Sequence, residues 1–156
     1  MAARILLGVA VVGAVIAYAA LSGLWVSTNG AWYQSLDQPP WQPPPWIFGL
    51  IWPYNFIVLM VAGVTIAATG QVGRAVAFTG VLAVSIACAV SWSYLFYGPH
   101  ALTWATACLA LAAALTVPLV ILSWQERPWL GVILLPYQVW LVLATSLSWW
   151  YAAHST

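Results

Sequence analysis

Five apolar runs take up most of this chain, at about Ile5–Val26, Trp46–Thr69, Ala75–Tyr97, Ala101–Trp124 and Trp129–Tyr151. Each is near the roughly 20 residues that an α-helix needs to cross a hydrocarbon core. The intervening sequence does not dilute them: 65% of the 156 residues are hydrophobic and 3% are charged. A soluble surface needs roughly a quarter of its residues charged. The solvent for this chain is therefore lipid, and the expected fold is an all-α membrane protein, a single domain over 1–156 built as a bundle of five transmembrane helices. A net charge of +1 offers nothing for a nucleic-acid backbone to hold, which excludes that class of partner. The first run follows Arg4 and exceeds the usual length of a signal-peptide core. Trp-rich sequence without a small-x-small cleavage site comes next, so a retained helix is expected.

Short connections with helix-breaking chemistry separate the later runs: Gly70 and Gly73, Gly98-Pro99, and Gln125-Glu126-Arg127-Pro128. An odd number of spans puts the two termini on opposite sides. Arg4, Arg74 and Arg127 then share the N-terminal side, and Asp37, His100 and His154 the other. By the bias of cationic residues toward the cytoplasm, the N-terminus is expected inside and the first loop and C-terminus outside. Ala83, Ala87 and Ser91 recur four apart in the third span and allow close approach of a helix, within the bundle or between subunits. Packing within one subunit is the expectation. Cys88 and Cys108 read as small hydrophobes inside their spans.

Only the first connection, residues 27–45, is long. Around it, Trp32 to Phe56 carries Trp32, Trp41, Trp46 and Trp52 together with Pro39, Pro40, Pro43, Pro44, Pro45 and Pro53. Prolines at this density forbid a continuous helix and restrict the residues before them, so a stiff folded loop is expected. An interfacial aromatic belt accounts for part of the Trp content. Trp52, Trp92 and Trp140 lie deeper in their spans and Trp104 follows the start of the fourth. Indoles there make broad flat walls with one donor each.

The stretch "WYQSLDQPPWQPPPWIFGLIW" resembles the signature W-Y-x-x-L-x-K-P-x-W-x-P-P-x-x-x-F-x-x-x-W of the tryptophan-rich sensory protein and translocator protein family. Trp32, Tyr33, Leu36, Pro39, Trp41, Pro43, Pro44, Phe48 and Trp52 stand in register with it. "WSYLFYG" at Trp92–Gly98 and "PYQVW" at Pro136–Trp140 are similar to two further family segments. The resemblance implies a five-helix bundle, often dimeric, in an inner bacterial or photosynthetic membrane, with the first loop as a lid over a cavity between the helices. It implies a flat hydrophobic ligand, such as a porphyrin, carotenoid or bacteriochlorophyll, with no obligatory cofactor and a sensory, trafficking or regulatory role. Carried over by position, the cavity would be lined by Trp52, Phe56, Ala89, Trp92, Trp140 and Ala144, and closed by Tyr33 and Pro43.

Three departures stand out. The family's two Asn positions are Ala89 and Ser148 here, and the Lys expected before Pro39 is Gln38. A drier cavity follows, with no lysine for a carboxylate and the arginines expected at the opposite face. The sterol motif of animal relatives is absent, since Tyr151 is followed by "AAHST". His100 in a loop and His154 in a polar tail are expected as solvated side chains rather than as metal ligands. No general base, nucleophile or intramembrane carboxylate suggests an enzyme, and photochemical porphyrin breakdown enters only through the resemblance. The alternative to a ligand-binding protein is a structural or assembly subunit of a larger membrane complex, such as a photosynthetic pigment-protein complex.

Overall fold

The computed structural model describes residues 1–155 and contains five helices long and apolar enough to cross a membrane. These are α1 (Ala2–Trp25), α3 (Pro45–Thr69), α4 (Val72–Tyr97), α5 (Leu102–Glu126) and α6 (Pro128–His154). A single helical turn, α2 (Ala31–Gln34), lies in the long first connection. At 24–27 residues and 1.5 Å per residue, each long helix reaches about 36–40 Å, enough for a core of about 30 Å with some tilt. Their outer faces are as apolar as their inner ones. Leu6 is 68% exposed, Leu50 65% and Trp104 71%, and a continuous apolar exterior of this kind is stable only against lipid. Trp104 therefore lines no inner wall.

Proline marks where helices begin and glycine where they stop. Pro45 and Pro128 open α3 and α6 at positions that need no N–H partner. Gly70 and Gly98 close α3 and α4, their N–H groups donating to the carbonyls of Ile66 and Tyr94 at 2.9 and 2.8 Å. The chain turns from α5 into α6 through Arg127 alone. Around the bundle α1 packs between α3 and α4, α4 packs on α5, α5 on α6, and α6 closes the ring against α3. Consecutive α3 and α4 thus diverge from their short turn to admit α1.

Close packing is set by small residues. A Cβ built on Gly63 would lie 2.5 Å from Val11 and 2.9 Å from Phe78, so α1, α3 and α4 meet at a point that only glycine fits. Gly131 does the same for α6 beneath the Trp124 ring. Inter-helical hydrogen bonds add to this: Ser85 Oγ donates to the Ala112 carbonyl at 3.2 Å and Gln138 Nε2 to the Ala113 carbonyl at 3.1 Å. Tyr54 Oη reaches the Ile133 carbonyl at 2.8 Å. The last two acceptors adjoin carbonyls that Pro118 and Pro136, inside α5 and α6, deprive of their N–H partners.

One packing expectation is overturned. Ala83, Ala87 and Ser91 are all exposed, because the inward face of α4 is taken by Phe78, Leu82, Ser85, Ile86 and Ala89. Larger residues fill the core, and the small-residue stripe of α4 points out of the bundle.

Four of the five charged side chains, all but Asp37, collect at one end. Arg74 pairs with Glu126 at 2.5 Å, and Thr69 Oγ1 donates to the other carboxylate oxygen at 3.0 Å. Arg4 donates to the Ala68 carbonyl at the C-terminus of α3, 2.6 Å away, where partial negative charge favours a cation. Four helix ends are thereby tied together, with Arg127 at the α5–α6 turn beside them.

A lidded cavity between the helices

The first connection folds onto the other end of the bundle. Trp150 Nε1 of α6 donates to the Asp37 carbonyl at 3.1 Å, and Trp41 Nε1 donates to Ser146 Oγ at 3.3 Å. The Trp41 and Trp150 rings meet edge to face, 5.1 Å between centroids. Gln42 sits in the middle of this contact, donating to Tyr33 Oη at 3.2 Å and accepting from Tyr151 Oη. Trp32 of α2 lies flat on His100, rings 3.7 Å apart and 7° from parallel. His154 likewise stacks on Trp150 at 3.7 Å. The histidines are exposed but not merely solvated, since each has one ring face covered by an indole. His100 holds a positive φ of 57°, a conformation in which histidine is several-fold over-represented, and its loop is the abutment for Trp32.

Beneath the lid lie three neighbouring voids that share walls. The outermost, about 490 Å³, is bounded by Thr28, Asn29, Gln34, Gln38, Gln42, Pro43–Pro45, Tyr33 and Phe48. Tyr33, Phe48 and Thr28 also border a second void of about 190 Å³, whose walls include Trp52, Trp92, Tyr97, Trp140, Ala144 and Ser148. Trp52 and Trp92 in turn separate it from a third, of about 200 Å³, lined by Tyr18, Ser22, Phe56 and Ala89 among others. All eight positions taken from the resemblance thus fall on this series. Tyr33 and Pro43 are at the top, Trp140 and Ala144 in the middle and Phe56 and Ala89 at the bottom; Trp52 and Trp92 form the partition.

The aromatic walls hold one another in place. Trp140 is met edge-on by Phe48 at 5.1 Å and by Trp52 at 6.3 Å, and Trp52 stacks on Phe56 at 5.8 Å. Tyr18 abuts both Trp52 and Phe56. Ser148, at a position where an amide was expected, accepts from Trp92 Nε1 at 3.2 Å and lies 2.8 Å from Thr106 Oγ1. A hydroxyl there spends its bonding on fixing the Trp92 indole, which orients one half of the partition. By contrast Trp140 Nε1, Tyr18 Oη and Ser22 Oγ are buried atoms without a hydrogen-bond partner among the described residues.

Sequence reasoning missed the share of α1. Tyr18 and Ser22 are polar groups in an otherwise apolar span, and that was the available signal. Asn55, fully buried with neither amide atom partnered, carried the same signal one helical turn below Trp52.

A lidded five-helix bundle with its Trp-rich segment closing the cavity is the arrangement implied by the signature residues, and comparison with known proteins settles the relationship. Residues 7–153 match the TspO/MBR family. This chain belongs to that family. It is similar to the tryptophan-rich sensory protein of Cereibacter sphaeroides, 29% identical over 117 residues that cover 75% of this chain and 72% of the relative. It is 30% identical to protein CrtK of Rhodobacter capsulatus over 79% of this chain and 78% of that protein. The translocator protein of Bos taurus is 31% identical over 75% of this chain and 70% of its own length. As a TspO/MBR protein with five apolar helices, the chain is an integral membrane protein whose surroundings are the bilayer.

Proposed function

We propose that this protein binds a flat, largely apolar ligand between its helices and under its lid, and that it serves a sensory, trafficking or regulatory role. The observation that carries the reading is the series of aromatic-walled voids, the inner two divided by Val26, Trp52 and Trp92. Neither inner void reaches the roughly 300 Å³ at which small-molecule sites begin. A ligand of that size has to displace the Trp52 side of the partition, since Ser148 holds the Trp92 indole, and the space above Tyr33 adds to the room. A tetrapyrrole, carotenoid or bacteriochlorophyll ring stacks well on such walls, and a proline-stiffened lid has little conformational entropy to lose on closing over it. The names of the relatives, a sensory protein and a translocator, accord with a protein that responds to or moves a small molecule.

The charge arrangement supports an orientation with the arginine end cytoplasmic and the lid outside. A second reading, association as a homodimer or within a larger membrane complex, is favoured by the outward stripe of Ala83, Ala87 and Ser91 on α4, where another helix can approach closely. The two readings are compatible.

The test of the binding reading is titration of the detergent-solubilised protein with a porphyrin, following Trp fluorescence. Saturable quenching near one equivalent is expected, with affinity reduced about tenfold or more in Trp140→Ala, as loss of an aromatic wall requires. Quenching that never saturates, or that is the same in the variant, contradicts the assignment.

A further inference from the structure

Resting on the proposed binding reading, the polar chemistry of the cavity narrows what it accepts: we infer that the ligand is uncharged, carrying carbonyl or hydroxyl oxygens rather than carboxylates. The outer void is lined by Asn29, Gln34, Gln38 and Gln42 with the hydroxyls of Thr28 and Tyr33. Each is a neutral group that bonds equally well to a carbonyl, an ester or an alcohol. Amides solvate a carboxylate less well than water does and bring no opposite charge, so an acid loses free energy on entering such a site.

No lysine or arginine lies in the lid half, and its two histidines, stacked on Trp32 and Trp150, line none of the three voids. The three arginines lie at the far end of the bundle, Arg74 on Glu126, Arg4 on the Ala68 carbonyl and Arg127 at the α5–α6 turn. The acidic side chain on the lid is Asp37, whose charge repels an anion. Further in, Trp140 is 4% exposed and its side chain lines the middle void, while its Nε1 is a buried donor without a partner among the described residues. An indole N–H donates and never accepts, so the group it awaits is an acceptor oxygen. Tyr18 Oη and Ser22 Oγ, beside the deepest void, are again neutral. Selectivity arises here because the linings of the three voids hold neutral amides, hydroxyls and indoles and no charged side chain.

A matched pair of probes isolates this property: a porphyrin dicarboxylic acid and its dimethyl ester, titrated at neutral pH into wild type, Gln38→Lys and Trp140→Phe in the same detergent. The partition of each probe into protein-free micelles, measured separately, corrects the comparison of acid with ester, and comparing variants with one ligand at a time cancels it. Wild type is expected to bind the ester about tenfold more tightly than the acid, and Gln38→Lys to improve the acid severalfold while leaving the ester unchanged. Trp140→Phe keeps the wall but removes the donor, and is expected to weaken the ester severalfold. Equal or tighter binding of the acid by wild type, with no gain in Gln38→Lys, overturns the inference while leaving the cavity intact. Absence of saturable binding of either probe to any of the three proteins overturns the binding reading and this inference with it.

Discussion

The two ends of this bundle are built on opposite principles. At the arginine end Gly63 lets α1, α3 and α4 close on one another, Phe78, Ile66, Leu82 and Leu130 are fully buried, and an ion pair with two further hydrogen bonds ties the helix ends. At the lid end the helices are held apart by indoles and phenols, and the space between them is left as voids roofed by a loop. The first end supplies stability and the second keeps room. Aromatic rings suit that task because they brace one another edge to face while leaving flat surfaces free. A core of leucines would collapse.

Substitutions separate the two ends. Gly63→Leu inserts a branched side chain where even one carbon lies 2.5 Å from Val11; overpacking of this kind costs about 1–3 kcal/mol or more. A large fall in thermal stability in detergent is expected, measurable by the loss of helical signal on heating. Trp52→Ala should do the reverse. Its ring already borders space on both sides, so its removal merges two voids, and affinity for a porphyrin ester is expected to fall about tenfold, roughly 1.4 kcal/mol, with a smaller change in melting temperature. If Trp52→Ala destabilises as much as Gly63→Leu, the lid end is a packing core after all.

Arg74→Ala strips Glu126 of its partner at a site where the two side chains are 24% and 10% exposed. Between the values for surface and buried pairs, about 1–2 kcal/mol of stability should be lost, with ligand affinity unchanged. Stopped-flow dissociation provides the finest contrast. Gln42→Leu removes the amide that joins Tyr33 to Tyr151 and is expected to speed ligand release severalfold, since one or two hydrogen bonds at about 1 kcal/mol each hold the lid there. An unchanged release rate would show that the Trp41 and Trp150 contacts suffice.

Much of the architecture was legible because the bilayer reads length and polarity directly. Apolar runs of spanning length became helices within a few residues of their expected ends, and α3 and α6 begin at the prolines that sequence puts there. The eight positions transferred by resemblance lie along the voids because Trp and Pro in a fixed register force the lid and its helix into one relation. Other features were illegible for a physical reason. A helix apolar on every side has no periodicity to reveal which face is buried, so the outward turn of Ala83, Ala87 and Ser91 and the contribution of Tyr18 appeared only with the neighbours in place. Stacking of His100 on Trp32 and of His154 on Trp150 depends on contacts between loops and helix ends that local sequence does not encode. Ser148 read as a lost amide, yet its hydroxyl aims the Trp92 indole.

The central claim is that the aromatic residues facing inward form a ligand site and those facing outward do not. Photo-crosslinking with a flat benzophenone-type probe, followed by peptide mass spectrometry, tests this residue by residue. Labels displaced by excess porphyrin ester are expected on Phe48, Trp52, Trp92 and Trp140. Displaceable labelling confined to the exposed Trp46, Trp104, Trp129 and Trp149 would contradict the account, placing the binding surface on the lipid-facing exterior.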